Sequence, residues 1–326
     1  MSLCTNYEYS NRRSSLLRAI GLVKIFHRGL FRSRKIYAVN NVDLTLLHGE
    51  RVCLVGESGS GKTTLAKLLL LILKPDKGKV YYKDVELTSL SREKLRRIRW
   101  KLQYIPQHPE NALDLRWKLY DSIVEPLRIL KLTTSNEEKR YVYDLVGMVK
   151  LKPEILSRRP REVSGGELQR AIIARALAVK PELLIADEPT SMLDPSTQAE
   201  IIHILLKLQC RNKFTLLFIT HDIELARHVC DRILVMYSGQ IVEEGSIKDV
   251  LNEPLHPYTK SLISVFKYGG LVHVYDHVEL GNSRGCKYKH ICPYKLSLCL
   301  QYEPPLIRVP SNRKVRCWLY AHEIKK

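Results

Sequence analysis

The run Gly56-Glu57-Ser58-Gly59-Ser60-Gly61-Lys62-Thr63 has the residue types and spacing that hold a phosphate chain. Its glycines let backbone N–H groups turn inward around anionic oxygens, and a helix starting after Gly61 adds the partial positive charge of its amino terminus. Lys62 is placed to reach β- and γ-phosphates and the Thr63 hydroxyl to ligate Mg²⁺, with Thr64 next in the same turn. An ordinary glycine-rich turn is the competing reading, and a strand before and a helix after argue against it. Further on, Leu183-Leu-Ile-Ala-Asp187-Glu188 ends an apolar strand on two acids. Asp187 would hold Mg²⁺ through water, and Glu188 would polarise a water attacking the terminal phosphate. A third group is Cys286, Cys292, Cys299 and Cys317, four sulfurs within the last 41 residues.

These groups need elements to position them. Val42–Leu46 alternates as a half-buried strand, and Arg51–Val55, Leu102–Ile105, Leu183–Ala186, Thr215–Thr220 and Ile233–Met236 read as further strands. Near-continuous apolar strands alternating with helices predict an α/β fold with a parallel sheet covered on both faces. Leu65–Leu73 is too uniformly apolar for a surface helix. Residues 119–180 read as mostly helical, with Pro126, Pro153 and Pro160 as breaks, and so as a helical insertion in the α/β core. After Pro257 the pattern turns short, basic and rich in Tyr and Cys. The expected domains are a basic segment 1–19, a core 20–265 with a helical subdomain at about 108–180, and an extension 266–326.

The 326 residues carry a formal charge of +19, with 45% hydrophobic and 27% charged residues, which excludes collagen-like and disordered classes. Residues 1–40 hold a net +7 and residues 281–326 a net +8, leaving +4 for the 240 between. Such basicity suits nucleic acid, an acidic membrane face or an anionic ligand, or else a solubilising surface. The longest apolar run, Leu68–Leu73, is far short of the ~18–20 residues of a membrane span, and Arg12, Arg13, Arg18 and Lys24 interrupt any secretory pattern. A cytoplasmic chain is expected, with reduced thiols and poor prospects for disulfides. Cys4, Cys53, Cys210 and Cys230 then read as buried or incidental.

Between the two phosphate motifs, Val163-Ser164-Gly165-Gly166-Glu167-Leu168-Gln169-Arg170 opens a helix rich in Ala, Ile and Leu. This resembles the signature motif of ABC-type ATPases. Gln107 after the strand Leu102–Ile105 is similar to their Q-loop, Ser191-Met-Leu-Asp194 to their D-loop, and His221 in Ile219-Thr-His-Asp to their switch histidine. The resemblance covers about residues 20–250. It implies a P-loop NTPase core with an antiparallel β subdomain and an inserted helical subdomain, followed here by a small cysteine-rich extension. It also implies a head-to-tail dimer in which each ATP lies between one subunit's phosphate loop and the other's Ser164, Gly165 and Gly166. Glu188 would then be the general base, His221 would hold the γ-phosphate, and Asp194 would contact across the interface. Gln107 would sense Mg²⁺ and signal to a membrane partner. An upstream aromatic stacks on adenine in this family; Phe26 is favoured here, with Phe31 and Tyr37 as alternatives.

Within that family, Glu253-Pro-Leu-His256-Pro257-Tyr258-Thr-Lys-Ser-Leu262 resembles the segment after the core in the dipeptide, oligopeptide and nickel import branch. Gln107-His-Pro-Glu-Asn-Ala-Leu, Glu125-Pro126-Leu127 and the basic Arg28-Gly-Leu-Phe-Arg insertion are similar to that branch too. The implied partners are a second ATPase subunit, identical or related, two transmembrane permease subunits and an extracytoplasmic substrate-binding protein. The implied place is the cytoplasmic membrane face, held peripherally. The alternative function is an ABC-type ATPase acting on nucleic acid or ribosomes; the tandem domains, long coiled coil, zinc finger or RNP motif it would call for do not appear. Cys286-x5-Cys292-x6-Cys299-x17-Cys317 leaves three readings: a [4Fe–4S] cluster, favoured by the wide spacing and by the resemblance, a Zn²⁺ site, or unliganded or disulfide-linked thiols.

Overall fold

The structure, a computed structural model, describes residues 14–28, 34–268 and 284–325. Most of the basic 1–19 segment, Cys4 and Phe31 lie outside these residues. The strands are β1 (Ser15–Arg28), β2 (Arg34–Leu47), β3 (Arg51–Val55), β4 (Lys77–Tyr82), β5 (Val85–Glu86) and β6 (Leu102–Ile105). They continue with β7 (Leu183–Asp187), β8 (Thr215–Thr220), β9 (Arg232–Tyr237), β10 (Gln240–Ser246), β11 (Ile307–Val309) and β12 (Arg313–Val315). The helices are α1 (Lys62–Leu69), α2 (Arg92–Arg99), α3 (Leu119–Leu130), α4 (Ser135–Met148) and α5 (Gly165–Leu177). After them come α6 (Pro195–Asn212), α7 (Ile223–Val229), α8 (Ile247–Asn252), α9 (Pro257–Tyr268) and α10 (Leu298–Gln301).

The chain divides into two compact units, one containing Leu47–Glu50 and Leu90–Leu217, the other Leu17–Leu46, Arg51–Ser89 and the residues from Phe218 onward. In the first, β7 pairs with β6 in parallel, Leu102 opposite Leu183, and β8 follows β7 in the order β8-β7-β6. Every residue of β7 is buried, which is why it is apolar from Leu183 to Ala186 rather than alternating, with Asp187 at its end as the exception. Helices α2 to α6 belong to this unit.

The second unit contains an antiparallel sheet in the order β2-β1-β4-β5 and a sheet run in the order β11-β12-β10-β9-β3. Parallel pairing joins β3 to β9, and antiparallel pairing joins β9 to β10, β10 to β12 and β12 to β11. The extension thus adds two strands to β10 instead of standing apart. Its own small core is Ile307, Val309, Val315 and Cys317, packed against Leu255, Tyr320 and Ala321.

Three local expectations need correction. The apolar run Leu65–Leu73 is helical only to Leu69; Leu70 caps α1, and Leu71 takes a left-handed φ of 49° to turn the chain toward Lys74. Cys53 and Cys230 are not incidental thiols but a disulfide, with Cα atoms 5.7 Å apart, and Cys210 is also disulfide-bonded. The pairing was hidden by 177 residues of separation; α7 packs on β3 and ends at Cys230, bringing the two together. Pro126, expected as a break, lies inside α3.

The helix tolerates Pro126 because its lost hydrogen bond is replaced. A proline at 126 leaves the carbonyl of Ser122 without its N–H partner four residues on. Arg175, from α5, donates its Nε to that carbonyl at 2.9 Å and pairs through Nη2 with Glu125. The guanidinium therefore splices the proline-containing helix to the helix that follows Ser164. Arg175→Met should cost about 1–3 kcal/mol by stranding a buried carbonyl. Adding Pro126→Ala, which restores the N–H, should recover at least half of that in urea or thermal midpoints. An equal cost in both backgrounds would contradict the splice.

Candidate functional site

The second unit carries the phosphate loop. Gly61 has φ 106°, and a Cβ there would stand 2.1 Å from the Ala38 carbonyl oxygen; one on Gly56 would stand 2.2 Å from that of Met236. Only glycine fits at either position, so the loop can press against β2 and β9 while its N–H groups face away from them. Lys62 opens α1, is 5% exposed, and donates its Nζ to the carbonyls of Gly56 and Glu57, both at 2.8 Å. The ammonium is therefore held over the loop. Tyr258 accepts a hydrogen bond from the Glu57 N–H at 3.2 Å. His221 is exposed at the end of β8. Asp222 beside it caps α7, its Oδ1 accepting from the Leu225 N–H at 3.0 Å, and Thr220 Oγ1 accepts from the Asp222 N–H at 3.0 Å. Phe26 is 42% exposed on β1 with Lys24 Nζ 5.9 Å from its ring centre, and Tyr37 is half-buried on β2.

The first unit carries the two acids, the glutamine and the signature segment. Asp187 is fully buried at the end of β7, where Tyr104 of β6 donates its hydroxyl to Oδ2 at 2.8 Å. Burial, then the adjacent carboxylate charge, pushes the Tyr104 phenol well above its ordinary range, so it stays a donor. Sequence reasoning missed Tyr104; its signal was a lone hydroxyl in the apolar strand Leu102–Ile105. Glu188 turns the chain out of the strand with φ 46°. Gln107 Nε2 donates to its Oε2 at 3.1 Å, joining two residues 81 positions apart. The Ser191 N–H and hydroxyl both donate to the Glu188 carbonyl, at 3.3 and 3.1 Å.

Ser164 is the exposed N-cap of α5, and its capping box with Glu167 is closed in both directions. The backbone hydrogen bond from Ser164 holds the Glu167 carboxyl below the usual range. Gly165 is exposed and Gly166 buried; a Cβ on Gly166 would meet Thr197 Cγ2 at 2.5 Å. Asp194 caps α6, its Oδ1 accepting from the Thr197 N–H at 3.0 Å; the hydrogen bond from the Thr197 side chain, then that from its N–H, lowers the Asp194 pKa. The segments read as signature motif and D-loop are thus packed together, while the Ser164 end of α5 is left open to an anion.

Thr63 hydroxyl, Gln107 amide oxygen and Asp187 carboxylate are the hard oxygen donors that suit Mg²⁺. In the tail, Cys299 and Cys317 are buried and Cys286 and Cys292 half-buried. The Cys286 N–H donates to the Cys299 carbonyl at 2.8 Å. Burial pushes the Cys286 and Cys317 thiols up to about 11, and their neighbouring sulfurs push the same way. Among the described residues, no three of His, Cys, Asp and Glu are grouped to hold a metal ion. These cysteines thus form no such group among the described residues, either for the expected [4Fe–4S] cluster or for the Zn²⁺ alternative. The four cysteines are soft sulfur donors, a type that both zinc sites and iron–sulfur clusters use.

Residues 39–191 match the family described as ABC transporter, and residues 242–299 the family described as oligopeptide/dipeptide transporter, C-terminal region. The oligopeptide transport ATP-binding protein AppF of Bacillus subtilis is 37% identical over 90% of this chain and 93% of its own. The oligopeptide transport ATP-binding protein OppF of Streptococcus mutans is 37% identical over 90% and 97%. A solved dimer of the ATP-binding cassette MJ0796, in a post-hydrolysis state bound to ADP and Pi, superposes with a TM-score of 0.64 at 30% identity, covering 71% of this chain and 98% of that one. With this loop, strand and signature geometry, the chain belongs to the ATP-binding proteins of ABC transporters. Within them it carries the carboxyl-terminal region of the oligopeptide and dipeptide branch.

Proposed function

We propose that this chain is the ATP-hydrolysing subunit of an ABC importer for di- or oligopeptides or a related solute. The observation that carries the reading is the hydrogen bond from Gln107 to Glu188, beside the strand end bearing Asp187. It links the amide expected to sense the metal to the carboxylate expected to activate water. No observation favours the nucleic-acid alternative.

In this mechanism the phosphate loop binds the ATP phosphates through its backbone N–H groups and Lys62. Thr63, Gln107 and Asp187 would hold Mg²⁺, which supplies charge neutralisation at the phosphates. Tyr104 keeps the Asp187 carboxylate in one orientation. Glu188 accepts a proton from the attacking water, and His221 hydrogen-bonds the γ-phosphate. The open end of α5 at Ser164 and Gly165 takes the γ-phosphate of an ATP on a second ATPase subunit, and Asp194 lies at that interface. ATP is thus the contact that closes the pair, and its hydrolysis releases them. Among the described residues no helix is long and apolar enough to cross a membrane. The reading therefore assigns translocation to separate permease subunits, solute capture to an extracytoplasmic binding protein, and this chain to the cytoplasmic face. Phe26 is the proposed adenine platform, supported by its exposure.

Glu188→Gln should lower turnover by about 10²–10⁴-fold while ATP remains bound and the dimer persists, read by steady-state phosphate release and sedimentation. Undiminished hydrolysis would remove Glu188 from the role. For the tail, the proposed occupant is a [4Fe–4S] cluster on Cys286, Cys292, Cys299 and Cys317, supported by their spacing in the sequence and their thiol donor chemistry. Anaerobically purified protein should contain iron and absorb broadly near ~400 nm; the absence of both would rule the cluster out.

A further inference from the structure

The His256-Pro257-Tyr258 segment has a defined place in the second unit. Glu243, fully buried on β10, accepts from the N–H groups of Leu255 and His256 at 2.9 and 2.8 Å and from Arg313 at 2.6 Å. His256 in turn accepts the Tyr258 N–H on Nδ1 at 3.0 Å. Burial, with the Arg316 charge beside it, lowers the His256 pKa to about 3, so it stays an acceptor. This chain of contacts sets the first turn of α9 and delivers the Tyr258 side chain, 2% exposed, to the phosphate loop.

The tyrosine does not stand alone. Its ring lies 4.5 Å from Tyr237 and 5.7 Å from Tyr288, and Tyr237 and Tyr288 meet edge-on at 5.3 Å. Tyr237 ends β9 immediately after Met236, whose carbonyl abuts Gly56. Tyr288 lies two residues beyond Cys286 in the extension. The Glu57 peptide is consequently clamped at both ends, its N–H by Tyr258 and its carbonyl by Lys62.

We infer that Tyr258 is a positioning residue for nucleotide binding, which holds the start of the phosphate loop in its binding conformation, and that the cysteine-bearing extension supports it through Tyr288. The inference rests on the reading that this loop binds the ATP phosphates. A ligand-ready loop spares the ordering cost of binding, so loosening it weakens affinity for nucleotide while leaving the reacting groups untouched. The extension then has a task within its own subunit: through Tyr288 and Tyr258 it supports the start of the phosphate loop.

The test is calorimetric titration of the purified full-length chain with a non-hydrolysable ATP analogue, beside kcat at saturating ATP. Tyr258→Phe, which removes one hydroxyl, should raise Kd about 3–10-fold with kcat within about twofold of the parent. Tyr288→Leu should raise Kd in the same direction, and Tyr288→Phe should leave it at the parent value. A Kd for Tyr258→Phe within twofold of the parent overturns the inference, as does a fall in kcat without a change in Kd. If Tyr258→Phe does not fold, the Tyr288→Leu and Tyr288→Phe pair decides: equal affinities overturn the inference, and weakening by leucine alone upholds it. Lys62→Ala tests the underlying reading separately. Binding by the parent but not by that variant upholds the phosphate loop whatever Tyr258 does, and equal binding by both overturns the reading and the inference together.

Discussion

A polyphosphate can be held by backbone N–H groups only where the backbone comes close to its own support without side chains in between. That constraint governs the second unit. Gly56 and Gly61 lie so near the carbonyls of Met236 and Ala38 that a methyl group would overlap them. Around those two contacts, β9 supplies Met236 and Tyr237, β2 supplies Ala38, and α9 supplies Tyr258. Lys62, with its carbon stem buried, is fixed on the loop's own carbonyls instead of waving in solvent. The loop is a rigid receptor because three elements leave it no other conformation.

The first unit solves a different problem, which is how to present two carboxylates in two roles from adjacent positions. Asp187 is still within the strand, buried and tied to a phenol, so it is oriented and kept from solvent. Glu188 is one residue further, where the left-handed turn swings it out of the strand to meet Gln107. A single backbone reversal thus gives two adjacent carboxylates different surroundings, as their proposed roles of metal ligand and general base require. In the same unit, α5 and α6 are locked by the Gly166–Thr197 approach, and α3 is spliced to α5 through Arg175. The open end at Ser164 is therefore mounted on a stiff support.

Much of this was legible in the residues. The strands Arg51–Val55, Leu102–Ile105 and Thr215–Thr220 coincide with β3, β6 and β8, because nearly all of their buried positions are apolar. The candidate phosphate-site residues stood out in the sequence because each has a chemical type at a spacing that few other tasks demand. The failures share a cause, which is partners distant in sequence. Pro126 looked like a break because Arg175 is 49 residues away, Cys53 looked incidental because Cys230 is on another element, and Tyr104 gave no periodic sign of Asp187. Leu70–Leu73 failed for a local reason: the apolar run continues past the helix into a turn in which Ile72 is exposed.

The uneven charge also takes on a narrower meaning. The extension is basic, yet part of that charge is neutralised by the strand it joins: Arg313 is buried on Glu243 of β10, and Lys314 pairs with Glu244 there. It is thus poor evidence for a nucleic-acid partner. The central claim is that ATP hydrolysis here drives solute movement across a membrane. The most direct measurement is ATP hydrolysis and labelled-peptide uptake by vesicles reconstituted with this chain and the permease subunits that co-purify with it. The account predicts hydrolysis stimulated by the assembled permease and ATP-dependent peptide accumulation. Hydrolysis indifferent to the permease but stimulated by RNA or DNA would contradict it.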